Sequence, residues 1–106
     1  MDITQAFEIL KQLPADQQKF VCEFIDFLAE WGRLGLDKCS TRELRRRVGV
    51  TQQKLAELTG TSVATVRRAE RGRTNPEIER KLRLFVMLFR FEKDRLISRL
   101  LADVKV

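Results

Sequence analysis

Arg67, Arg68 and Arg71 stand at helical spacing in a short stretch, Gly60 to Gly72, whose only acidic residue is Glu70. A guanidinium keeps its charge at any physiological pH and offers a planar fork of N–H donors, which suits phosphate oxygens and other paired acceptors. Arg42, Arg45, Arg46 and Arg47 add a second basic cluster upstream. Residues 40–83 carry 12 Lys or Arg against 5 Asp or Glu, a net charge of +7. Residues 1–39 carry 4 against 7, and residues 84–106 carry 5 against 3, so the chain's overall +6 is concentrated in its middle. Such a segment is suited to a polyanion.

The remaining composition removes most catalytic chemistry. With no His, Ser-His-Asp and Cys-His arrangements and His-ligated metals are excluded in their usual forms. Cys22 and Cys39 are too few and too far apart for a zinc knot and read as incidental thiols of a reducing compartment. No catalytic residue, metal site or cofactor is expected, and the protein is not read as an enzyme. The apolar clusters around Phe24–Ala29 and Leu84–Phe89 are cut by charges well short of the roughly 18 residues of a membrane span. The start, Met1-Asp2-Ile3-Thr4, has no basic, apolar leader pattern, so a cytoplasmic location is expected.

The elements that must carry the arginines are helices throughout. In a chain of 106 residues, enough for one compact core, apolar residues recur at helical spacing and no alternating β-branched run occurs. Phe7, Leu10 and Leu13 mark a first helix ended by Pro14, and Asp16 is placed to cap a second with a broad apolar face from Phe20 to Trp31. Gly32 and Gly35 break that pattern, and residues 35–39 read as a linker. Ser40-Thr41-Arg42-Glu43 has the form of a capping box for a helix ending at Gly49. Thr51 caps the next helix, to about Thr59; Gly60 turns the chain; Ser62 caps another, to about Arg71. Asn75-Pro76 starts a last apolar stretch, one long helix or two broken near Glu92-Lys93-Asp94. The division expected is an N-terminal helical extension (1–39), a helix-turn-helix core (40–83) and a C-terminal helix (84–106).

Two short helices around Gly60, with small Ala56 at their crossing and Leu55, Val66 and Ala69 turned inward, form a helix-turn-helix pattern. With Arg45, Gly49, Thr51-Gln52, Leu55-Ala56, Gly60, Val66, Glu70-Arg71-Gly72 and Asn75-Pro76 in register, residues 41–86 resemble the Cro/repressor class of lambda-repressor-like helix-turn-helix domains, the XRE family. The resemblance implies an all-α fold whose third domain helix enters the major groove of double-stranded DNA. It places Val63, Ala64, Arg67 and Arg68 at base-reading positions. It places Thr51, Gln52, Ser62, Arg71, Arg73, Thr74 and Asn75 at phosphate-contacting ones, and it makes Arg45 and Glu70 a structural ion pair. The sequence departs from the family pattern at Thr59, where an apolar residue is usual, and at Val63 and Ala64, where polar residues are common. Apolar contact with a thymine methyl fits the latter two better than adenine readout.

The function expected is therefore sequence-specific regulation of transcription, as a repressor binding a palindromic operator. Phe85, Phe89, Leu96, Ile97, Leu100 and Leu101 exceed what one small domain needs and are expected to build a homodimer interface. Two alternatives accompany this reading. One is an antitoxin that holds a toxin through its acidic N-terminal helices and autoregulates its operon; the other is a protein-interaction scaffold that does not bind DNA.

Overall fold

The computed structural model describes residues 1–104, and those residues contain helices and no strand. The helices are α1 (Ile3–Gln12), α2 (Ala15–Arg33), a short 3-10 helix (Leu36–Lys38), α3 (Thr41–Val48), α4 (Gln52–Thr59), α5 (Val63–Glu70) and α6 (Pro76–Val104). Lys105 and Val106, the end of the 84–106 segment, lie outside the described residues. The chain divides into two compact units, one from Met1 to Gly35 and one from Leu36 onward.

In the first unit, Asp2 and Gln5 form a reciprocal capping box at the start of α1. Gln18 of α2 donates through Nε2 to the carbonyls of Lys11 and Leu13, so it satisfies acceptors that the end of α1 leaves open. The cap position of α2 is Pro14 rather than the expected Asp16, which lies inside the first turn. Proline's fixed φ, here −55°, suits the residue entering a helix, and Asp16 instead sets its charge against the positive end of the helix dipole. Gly32 does not break α2, which continues to Arg33 before Gly35 turns with φ of 70°. Phe24, Phe27 and Trp31 form a ladder with ring centroids 6.2 and 5.6 Å apart. Ile3, Phe7 and Ile9 of α1 are exposed.

The second unit has its own core. Leu44 and Val48 of α3, Leu55 and Ala56 of α4, Val66 and Ala69 of α5, and Leu82 and Val86 of α6 are all buried, with Val50 between α3 and α4. Helix α6 packs on α3 and α4, and α4 on α5. Each short helix is delimited locally. Ser40, Thr51 and Ser62 accept the backbone N–H three residues on, at 3.2, 3.0 and 3.1 Å. At position 40 the structure gives only this half of the expected capping box, because Glu43 bridges to Arg47 instead, at 2.9 Å. α6 is one helix with no break at residues 92–94; nothing from Glu77 to Val104 is Gly or Pro, and Arg90 pairs with Asp94 across one turn at 3.0 Å. No helix among the described residues is long and apolar enough to cross a membrane.

Candidate nucleic-acid interface

Helices α4 and α5 are joined by a three-residue turn whose geometry fixes how α5 is presented. Gly60 closes α4 in the left-handed region, φ 68°, where a side chain would be strained, and Thr61 N–H then returns to the Ala56 carbonyl at 3.0 Å. Thr59, a departure from the apolar residue usual before this turn, is buried at 5% exposure. Its hydroxyl lies 2.8 Å from the Leu55 carbonyl oxygen and 2.8 Å from the Thr61 hydroxyl, so the polar atom is satisfied inside the helix and the turn. Leu55 and Val66 are fully buried and Ala56 and Ala69 nearly so, which leaves the other side of α5 to solvent.

On that side Ala64, Arg67 and Arg68 are exposed, with Val63 and Thr65 half-buried beside them. Both arginines are braced. Arg67 Nε donates to Gln52 Oε1 of α4 at 3.4 Å. Arg68 Nη2 donates to Thr65 Oγ1 at 3.4 Å, and that hydroxyl is paired in turn with Ser62 Oγ at 2.9 Å. Arg71, Gly72 and Arg73 follow on the surface, and the Arg73 N–H closes onto the Arg68 carbonyl at 2.8 Å. Thr74 is half-buried. Asn75 Oδ1 accepts the Ile78 N–H at 2.9 Å, so its role at the start of α6 leaves only the side-chain NH₂ to reach outward.

Beneath this surface a polar chain runs inward. Arg45 of α3 and Glu70 of α5 form an ion pair through Nε and Oε1, with side chains 10% and 5% exposed. Arg45 Nη1 also donates to the Val50 carbonyl at 2.9 Å, and Gln52 Nε2 donates to Glu70 Oε2 at 2.7 Å. Buried charges are tolerated when paired and fully hydrogen-bonded, and among the described residues no buried side-chain N or O lacks a partner. The Gln52 side chain is therefore engaged at both ends. What α4 offers outward at its start is backbone: helix geometry leaves the Gln52 and Gln53 N–H groups without intrahelical acceptors, at the positive end of the dipole and just after the capping Thr51.

The residues singled out in the sequence thus fall into a surface group on α5 and the following loop, a group at the start of α4, and the buried pair that ties α5 to α3. Phe85 and Phe89 are half-buried, whereas Leu96, Ile97, Leu100 and Leu101 are exposed further along α6. Two participants escaped the sequence reading. Thr65, the brace on Arg68, stands three residues after the capping Ser62, a spacing that could have indicated it. The Val50 carbonyl carries no side-chain signal. Residues 42–84 match the family model described as helix-turn-helix. No curated protein and no solved structure matches the chain.

Proposed function

Because residues 42–84 are a helix-turn-helix domain of the XRE, lambda-repressor-like family, a family of DNA-binding transcription regulators, we propose that this protein is a sequence-specific regulator that represses by occupying a palindromic operator as a homodimer. The observation that carries this reading is the pair of exposed, braced guanidinium groups, Arg67 and Arg68, on the outward side of α5. Seated in a major groove, they offer forks matched to guanine O6 and N7, beside Val63 and Ala64 for a thymine methyl. The N-terminus of α4, Ser62, Arg71, Arg73, Thr74 and Asn75 would hold the phosphates that fix register. This reading places the protein in the cytoplasm with the DNA.

Dimerisation follows from specificity and from α6. One reading helix covers too few base pairs to single out a genomic site, and pairing doubles the sequence read. Phe85, Phe89, Leu96 and Leu100 follow one another at intervals of four, seven and four residues along one face of α6, with Ile97 and Leu101 turned away from that face around the helix. Leu96 and Leu100 are 58% and 56% exposed, an apolar surface suited to a second copy.

The test is enrichment of random duplexes on the full chain. A two-fold symmetric motif with half-sites about 34–36 Å apart supports the reading; failure to enrich any sequence, the scaffold outcome, overturns it. The antitoxin reading rests on a different observation. Residues 1–35 carry 6 acidic against 3 basic side chains, and Ile3, Phe7, Ile9, Ile25 and Leu28 are exposed. A basic toxin with an apolar groove would suit that surface, and co-purification of such a protein encoded beside this one is its test.

A further inference from the structure

We propose that Gln52 is a positioning residue for base reading: it holds the Arg67 guanidinium in one orientation and links that orientation to the buried Arg45–Glu70 pair. This rests on the DNA-reading role of α5 proposed above. The link is a matter of which atoms can donate. The Glu70 carboxylate only accepts, so it takes the Gln52 NH₂, at 2.7 Å. The amide is thereby turned so that Oε1 faces outward, where it accepts from Arg67 Nε at 3.4 Å. Glu70 is itself immobilised by Arg45, which is anchored to the Val50 carbonyl at 2.9 Å. An exposed arginine would otherwise sample many rotamers and lose that freedom on binding. Anchored through Nε, Arg67 keeps its two terminal nitrogens free, the end-on fork that a pair of acceptors on a base edge requires.

Only an amide serves at position 52. A carboxylate there cannot donate to Glu70 and would set like charge beside it, and a methyl group reaches neither partner. The role differs from a phosphate contact, which would weaken all duplexes alike.

The experiment measures binding of the full chain, as wild type, Gln52→Ala, Arg67→Ala and the double variant, to the enriched duplex and to its single-base-pair variants. Gln52→Ala and Arg67→Ala are expected to lose discrimination at the same base pair, roughly tenfold each, with no further loss in the double variant. Uniform weakening by Gln52→Ala, with discrimination at the Arg67-dependent pair intact, overturns the proposal. A second measurement needs no DNA: in the free protein the Arg67 Nε–H proton is expected to exchange slowly with water, and Gln52→Ala is expected to abolish that protection. If the wild type binds no duplex, the regulator reading falls, and this exchange rate alone decides the positioning role; unchanged protection in Gln52→Ala sinks it.

Discussion

Arg83, in the third turn of α6, reaches Thr41 at the start of α3, donating through Nη1 to Oγ1 at 3.4 Å. Its Nη2 donates to the Asp37 carbonyl at 3.1 Å, and Thr41 Oγ1 donates to Glu79 Oε1 at 3.2 Å. Glu79 and Arg83 of α6 thus clasp a threonine of α3 that is only 3% exposed, and Arg83 also reaches a carbonyl of the 3-10 helix. The clasp fixes how α6 lies on α3, and through α3 it supports the Arg45 that holds Glu70. Thr41→Val keeps the shape but removes the hydroxyl, and it is expected to lower stability by about 1–3 kcal/mol. Urea denaturation checks this, and DNA affinity of the folded variant should stay near wild type.

Arg45→Ala attacks the inner pair directly. It leaves Glu70 buried with Gln52 as its remaining partner among the described residues, and the Val50 carbonyl without the Arg45 donor. A loss of about 3–5 kcal/mol is expected, as for other buried pairs broken from one side. A melting curve like that of the wild type, with binding lost, would instead make Arg45 a DNA contact.

Arg68→Ala removes an exposed side chain that is braced by Thr65, within its own helix. Circular dichroism and melting should be unchanged, while affinity for the preferred duplex falls by about 1–3 kcal/mol and preference relaxes at particular base pairs. Full specificity in this variant would remove Arg68 from the proposed base-reading residues.

Arg73 lies just beyond α5 and is exposed. If it meets a phosphate, Arg73→Ala weakens binding to every sequence similarly and reduces the slope of log affinity against log salt by about 1. Titrations between roughly 50 and 200 mM salt read that slope; an unaltered slope removes Arg73 from the backbone contacts.

The assembly is tested by placing charge on the exposed end of α6. Leu100→Asp with Leu101→Asp should give a folded monomer with much weaker binding, because both side chains are more than half exposed and neither supports the core. Light scattering at several concentrations and a footprint on the enriched duplex decide it. Monomer mass for the wild type at every concentration, with a one-sided footprint, would defeat the dimer.

Interactions between near neighbours in the chain were readable without a structure. Ser40, Thr51 and Ser62 cap because a short hydroxyl side chain meets the N–H three residues on, whatever surrounds the helix. Gly49 and Gly60 end α3 and α4 at φ of 86° and 68°, a conformation the residue type alone makes accessible. The inward set Leu55, Ala56, Val66 and Ala69 followed from periodicity, since one face of each helix must leave water. Even locally, competition between neighbours was harder to read: Pro14 takes the cap position from Asp16, and Glu43 turns to Arg47 instead of completing the box with Ser40. What depended on tertiary structure was the set of partners across helices. Gln52 finds Arg67 and Glu70 at separations of 15 and 18 residues, and Thr41 finds Glu79 and Arg83 at 38 and 42. Those bonds exist because of the angles and distances at which α3, α4, α5 and α6 cross. Periodicity tells which face of each helix is buried, but the packed core sets the crossing, and only the crossing brings one particular donor to one particular acceptor.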